Sequence, residues 1–372
     1  LLQSSAASDV YKRQAQIQQR LGIPLVFTGH SLGREKQRRL LEIGQNPEQV
    51  NQRYAMERRI GAEEEALAAA SMVVTSTRQE VRVQYERYSH FHPEMAEVIP
   101  PGVDTTSFQP QARYSGEDRE IGELFSPFLR DPDRPCMLAV CRPDRRKNIP
   151  ALIDAFGSSP LLREKANLLL VLGNREGFHP LERTQREEWQ HVLEAIDRQD
   201  LYGQVAYPKH HSRSQVPGIY RWAAARRGVF VNPALTEPFG LTLIEAAACV
   251  LPVVATNDGG PIDILGRCRN GLLVDVSSSE ALRTTLEKAL APDAPWDQWR
   301  QQGLEAVEQA YSWEAHARRY LQVARPLCAA AQLESTANLK SNSLRGRVSA
   351  PTRLRQARPA GQSHAHAAHG RG

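Results

Sequence analysis

Two hydropathy patterns alternate along the chain: short unbroken apolar runs, and longer stretches in which apolar residues return every three or four positions. PLVFTGH (Pro24 to His30) is the first run and ends in small polar residues. The stretch from there to about Ala70 has helical spacing. MVVTS (Met72 to Ser76) is the second run, and Ser76 or Thr77 with Glu80 a turn later forms a helix-opening cap. Strand followed by helix, twice, predicts parallel pairing. The Pro-rich VIPPGVDTTSFQP (Val98 to Pro110) and a polar stretch to Arg134 read as a linker. The alternation then resumes, with strands predicted at Cys136 to Cys141, Leu168 to Leu172, Val229 to Asn232, Pro252 to Thr256 and Leu272 to Val274. Helical stretches between them predict a doubly wound α/β domain, with helix continuing to about Cys328. No internal repeat is visible, and the remainder, ending SHAHAAHGRG, is of low complexity.

Composition changes this picture little. A length of 372 residues fits two domains. A hydrophobic fraction of 41% and a charged fraction of 24% are those of a soluble globular chain. The longest apolar run, NLLLVLG (Asn167 to Gly173), is far short of a membrane span. The net charge of +5 invites a nucleic-acid partner, but its location argues against one. Lys340, Arg345, Arg347, Arg353, Arg355, Arg358 and Arg371 face Glu334 alone after Ala329, so the rest of the chain is slightly acidic. A basic excess confined to a Ser/Ala/Pro/Arg/His-rich end describes a disordered tail. Cys136, Cys141, Cys249, Cys268 and Cys328 include no C-x-x-C pair, which fits a reducing cytoplasm. The opening LLQSSAASDVYKRQ has no initiator Met and no signal-peptide core, and reads as non-native sequence joined to a broken-off gene.

Three segments carry candidate chemistry. In TEPFGLTLIEAAACVLPVVATNDGGP (Thr236 to Pro261), Glu237 and Glu245 flank the start of a helix whose first turn suits Pro238. Eight residues at helical rise span about 12 Å, roughly the reach from a sugar to a ribose across a diphosphate. Backbone amides near Gly240 and Leu241 would lie at that helix's positive end, ready for phosphate oxygens. A surface helix with solvated glutamates has the same spacing. In CRPDRRKNI (Cys141 to Ile149), Arg142 and Lys147 at a strand end could clamp a diphosphate, although a solvated basic loop looks alike. In TGHSLGREKQ (Thr28 to Gln37), His30 stands at a strand end before Gly33, as a cleft residue or a packing histidine. The His90/His92 and His210/His211 pairs have no third partner that would make a metal site.

Together HSLGREK, MERRIGAEE, TSTRQE, IPPGVD, RPDRRKN and EPFGLTLIEA with GGP resemble the glucosyltransferase part of sucrose-phosphate synthases, from about Leu21 to Leu327. E-x7-E with GGP marks the wider retaining GT-B group, whereas HSLGR with TSTRQE is specific to its sucrose branch. The resemblance implies a GT-B fold of two Rossmann-like doubly wound domains, the N-terminal one incomplete. It also implies transfer of glucose from UDP-glucose, or ADP-glucose, to fructose 6-phosphate. The product is sucrose 6-phosphate, with retention at the anomeric carbon. Arg142 and Lys147 would grip the diphosphate, Glu245 the ribose and Glu237 the glucose hydroxyls, with Phe239, Gly240 and Leu241 completing the donor site. His30 would contact the donor glucose, so the catalytic set is His30, Arg142, Lys147 and Glu237. Lys36, with Arg58 and Arg59, would receive the acceptor phosphate. No metal or cofactor is required, with Mg2+ at most stimulatory. Two departures stand out: the family's Gly-rich loop on its first strand is absent, and no Asp-x-Asp-x-Thr phosphatase motif follows Leu327. A sucrose synthase using free fructose and a non-catalytic nucleotide-sugar-binding fragment are the competing readings. The expected organisation is a start (1–14), a partial acceptor-side domain (15–102), a linker (103–133), a nucleotide-sugar-binding domain (134–328) and a disordered basic tail (329–372).

Overall fold

The computed structural model describes residues 2–29 and 31–346, with side chains from 9 to 333. Its first unit is a small parallel sheet of β1 (Leu25–Phe27), β2 (Ala70–Thr75) and β3 (Ala96–Val98), in that order. The long stretch of helical spacing is three helices, α2 (Gly33–Glu42), α3 (Pro47–Tyr54) and α4 (Met56–Ala69), preceded by α1 (Leu2–Leu21). The break between α2 and α3 is local chemistry. Gly44 takes a positive φ, Asn46 caps the next helix by accepting from the Glu48 and Gln49 amides, and Pro47 fills its first position. Thr77 caps α5 (Arg78–Val83), its hydroxyl accepting from Glu80 N at 3.0 Å while the Glu80 carboxylate accepts from Ser76 N at 2.7 Å. The predicted cap is therefore present and centred on Thr77, with Glu80 reaching back to the amide one residue before it.

The second unit is a six-stranded, wholly parallel sheet ordered β6-β5-β4-β7-β8-β9. Its strands are β4 (Cys136–Val140), β5 (Asn167–Val171), β6 (Val205–Ala206), β7 (Val229–Asn232), β8 (Val253–Thr256) and β9 (Gly271–Val274). The chain enters at β4, winds out to β6, returns beside β4 and winds out the other way, so the topology switches between β4 and β7. Burial on both faces explains the unbroken apolar runs. One core holds Leu138, Phe230, Val253 and Ile244, the opposite one Met137, Leu168, Val229 and Val254. Seven of the strands fall on predicted runs, β1 ending three residues short of its run and the other six matching to within two residues. β3 and β6 escaped, being short and set beside Pro100 and Pro208.

The crossovers are α7 (Ile149–Gly157), α8 (Pro160–Lys165), α9 (Arg183–Arg198), α10 (Val216–Ala225), α11 (Leu241–Ala248) and α12 (Gly260–Cys268), and α13 (Ser279–Ala289) and α14 (Trp296–Ala306) follow the last strand. The stretch 103–133 carries α6 (Glu117–Phe125), whose Ile121 and Phe125 lie in the core of this second unit. The buried pair of Arg221 Nη2 with Glu117 at 2.6 Å fixes α6 to α10, so this stretch is packed structure as well as connection. α15 (Trp313–Gly346) returns to the first unit, where Tyr320, Val323 and Leu327 cover Met72, Val74 and Ile99. The expectation of disorder from residue 329 is corrected as far as Gly346: the run Cys328 to Ser335 is rich in Ala, Gln, Leu and Glu, all strong helix formers. Residues 347–372 lie outside the described ones. Where side chains are described, α1 also packs, with Ala15 buried and Tyr11 edge-on to Phe27 at 5.3 Å. No helix among the described residues is long and apolar enough to cross a membrane.

Candidate active site

Parallel strands place their carboxyl ends along one edge, and ligands of such sheets bind where the winding reverses. At that point between β4 and β7 lies a cavity of about 260 Å3. Cys141, Arg142 and Lys147 line it from the end of β4, and Asn232, Pro233, Glu237, Leu241 and Thr242 from β7 to α11. Lys147 Nζ donates to Glu237 Oε2 at 2.6 Å, and Asn232 Nδ2 donates to the same oxygen at 3.1 Å. Sequence reading missed Asn232, whose strand-end position is its only signal. Arg142 is exposed and makes no hydrogen bond or ion pair among the described residues. Its guanidinium is therefore available to a ligand. Burial pushes the Cys141 thiol up to about 12, so it is a neutral wall of the cavity at neutral pH.

The expected helix start is corrected by three residues. α11 begins at Leu241, with Gly240 at φ 104° as its N-cap, and Pro238 lies in the loop before it. Backbone pairing is the cause. Glu237 forms an isolated parallel bridge with Gly259, its carbonyl accepts from Gly260 N at 2.8 Å, and its amide donates to Asp258 O at 3.2 Å. The helical-rise estimate between Glu237 and Glu245 therefore does not apply, since Glu237 is paired with Gly259 and the chain bends through Pro238 and Phe239 before the helix begins at Leu241. A Cβ on Gly259 would stand 1.9 Å from Glu237 O, and one on Gly260 2.1 Å from Phe239 O. The Gly-Gly-Pro turn thus exists to let two backbones touch beside the cavity.

Glu245 lies within α11, and its carboxylate accepts from the fully buried Tyr220 hydroxyl at 3.1 Å. Burial raises its pKa above the usual carboxylate range, against the Tyr220 hydrogen bond and the charge of Arg213. Tyr220 is held by Phe230 and Phe108 at ring distances of 5.6 and 6.1 Å. Beyond β5 and β6, Asn174 and His211 exchange two hydrogen bonds of 2.9 Å, and the Arg175 guanidinium donates to the Tyr207 and Pro208 carbonyls. Arg175 lies 3.8 Å above the Trp189 ring, which fixes its plane. Two adjoining loops are thereby tied together on the same edge as the cavity.

A larger cleft of about 810 Å3 runs between the units, lined by Leu32, Lys36, Arg39 and Gln79 on one side and Arg145, Arg146, Thr236, Pro238 and Gly259 on the other. Lys36 Nζ stands 4.0 Å over the Tyr54 ring. Burial lowers its pKa, with the charges of Arg59 and Arg53 acting in the same direction. Arg59 is thus near Lys36, though its guanidinium is engaged with Glu63 at 2.9 Å and with the Ser31 carbonyl. Arg58 points elsewhere and pairs with Asp9 of α1 at 2.6 Å. His30 lies outside the described residues. His90 is turned to Glu64 at 2.9 Å, and burial lowers the pKa of His211. Among the described residues no three His, Cys, Asp or Glu side chains converge as metal ligands.

A doubly wound sheet with a polar cavity at its switch point, facing a second parallel unit across a cleft, defines the GT-B glycosyltransferase fold. The family model described as "Glycosyl transferases group 1" matches residues 121–305. The Anabaena protein HepE, solved with UDP and glucose, shares this fold, with a TM-score of 0.63 at 17% identity over 86% of this chain and 76% of that one. The solved sucrose-phosphate synthase of Thermosynechococcus elongatus superposes with a TM-score of 0.63 at 28% identity, covering 85% of this chain and 70% of that one. Sucrose-phosphate synthase 4 of Arabidopsis thaliana is 44% identical over 341 residues, 81% of this chain and 32% of that protein. A probable sucrose-phosphate synthase of Beta vulgaris is 43% identical over 335 residues, again 81% of this chain and 32% of that one. The chain belongs to the sucrose-phosphate synthase family. It spans about a third of the length of these curated relatives.

Proposed function

We propose that the chain transfers glucose from UDP-glucose to fructose 6-phosphate, giving sucrose 6-phosphate with retention. One observation carries this reading. Glu237 lines the small cavity while its neighbours Thr236 and Pro238 line the large cleft, so the two spaces meet at that residue. A diphosphate in the cavity would lie against Arg142 and Lys147, with its ribose towards Glu245 and its glucose at Glu237. An acceptor in the cleft would present its phosphate to Lys36 and Arg59. Residues 15–102 then form the acceptor side and 134–328 the nucleotide side.

The chemistry uses no protein nucleophile. The bond from the anomeric carbon to the β-phosphate oxygen breaks as the bond to the acceptor oxygen forms on the same face. The departing phosphate takes the acceptor's proton. Arg142 and Lys147 stabilise the charge that collects on the leaving group, so catalysis is positioning and electrostatics. No cofactor is required on this reading, and the five free cysteines suit a cytoplasmic protein.

The test is product formation from UDP-glucose with fructose 6-phosphate, beside the same assay with fructose. Sucrose 6-phosphate should form. Lys36→Ala should raise the KM for fructose 6-phosphate by about tenfold or more, the scale of one charge-assisted contact, and leave UDP affinity alone. A preference for free fructose would make the protein a sucrose synthase. UDP binding with no transfer to either acceptor would make this chain a nucleotide-sugar-binding fragment.

A further inference from the structure

The cleft is crossed by one side chain whose bonds reach the cavity. Gln79 stands in α5 of the first unit, within the TSTRQE segment. Its Nε2 donates to Asp258 Oδ1 at 2.6 Å, and its Oε1 accepts from Gly259 N at 2.8 Å, both in the second unit. Asp258 is itself tied to the cavity loop. Its other oxygen accepts from the Thr236 hydroxyl at 2.7 Å, and its carbonyl accepts from Glu237 N at 3.2 Å. Gly259 pairs with Glu237 as a parallel bridge, and Gly260 N donates to the Glu237 carbonyl at 2.8 Å. Two bonds therefore lead from α5 to the Glu237 backbone on either side. The Glu237 side chain continues the path to Lys147. A second tie lies close by, the Arg78 amide donating to Asp263 of α12 at 2.9 Å.

The amide is the only side-chain group that fits both bonds with one plane. It offers a donor to a carboxylate and an acceptor to an N–H, and a carboxylate at position 79 would keep the second bond while facing Asp258 as a like charge. The glycine is equally specific, because the bare Gly259 amide approaches Gln79 only while its backbone lies against Glu237.

We propose that Gln79 is a positioning residue that registers the Glu237 loop against the first unit. Glu237 and Lys147 then take their places in the donor cavity only when the two units meet in this arrangement. The catalytic consequence rests on the function proposed above, whereas the mechanical coupling stands apart from it.

The experiment is a donor–acceptor swap on the whole chain. Gln79→Glu removes the donor facing Asp258, and Asp258→Asn supplies one in return, so the double variant restores both bonds with the polarity of one reversed. Amide hydrogen exchange of residues 236–240 and 258–260 is measured in the unsubstituted protein, both single variants and the double variant, together with kcat and both KM values. Gln79→Glu should speed exchange in these two segments about tenfold, leave β5 unchanged, and lower kcat by about tenfold with donor KM within about twofold. The double variant should recover to within about threefold. Additive defects in the two singles, or exchange confined to α5, would overturn the proposal. Coupled exchange in a protein that transfers no glucose would uphold the mechanical link and sink the functional reading instead.

Discussion

Glu245 shows how one side chain ties proton, ligand and stability together. Its carboxyl is pushed up by burial, and only Tyr220 and Arg213 favour its charged form. Ribose hydroxyls donating to it would favour that form further, so nucleotide binding should release a proton near its raised pKa. UDP affinity should accordingly rise with pH through the acid range just above ordinary carboxylates, then level off. Titration calorimetry in buffers of different ionisation heat measures this directly. Glu245→Gln should flatten the dependence and weaken UDP binding about tenfold. The stability effect has the opposite sign. A carboxyl whose folded pKa is raised contributes stability below its unfolded pKa and loses it as pH rises through the folded value. The glutamine variant should therefore unfold at a higher temperature than the parent at neutral pH. A pH-independent affinity in the parent would remove Glu245 from the ribose site.

At the scale of elements, the decisive feature is the contact between the Glu237 loop and the Gly259–Gly260 turn. Gly259→Ala puts a methyl 1.9 Å from a carbonyl oxygen at φ 102°. It should cost on the order of 3 kcal/mol in urea unfolding. A loss under 1 kcal/mol would mean that the loop is not held there. This contact also marks where sequence reading stops. The six strands of the second unit were legible, apart from β6, because two-sided burial writes them as apolar runs. Of the residues singled out in the sequence, Arg142, Lys147 and Glu237 come together around the cavity, whereas Glu245 lies within α11 and is not among its lining residues. The start of α11 was not legible, since Glu237 and Pro238 look helical locally and the long-range bridge of Glu237 to Gly259 keeps them out of the helix. Tyr220 and Gln79 were illegible for the same reason. Each sits inside a helix, and its partner lies on an element far away in sequence. Arg58 and Arg59, adjacent in sequence, diverge because successive helical residues project about 100° apart.

The whole molecule is two parallel units joined twice. Val103 N donates to Tyr311 O at 2.7 Å where the chain passes between them, and α15 crosses back to place Arg319 2.8 Å from Glu97. Gln79 and Arg78 join the two units again beside the cavity, so the cleft is spanned there as well. On the proposed function the nucleotide would bind the second unit, at the point where its sheet reverses. Arg142 offers a clean probe, because it is exposed and unpaired among the described residues and its removal should leave the fold intact. The direct measurement is a calorimetric titration of UDP into the parent chain and into Arg142→Ala. The parent should bind one UDP, and the variant should bind at least about tenfold more weakly with an unchanged unfolding temperature. Equal affinity in the two proteins, or no binding by the parent, would contradict a diphosphate site between β4 and β7.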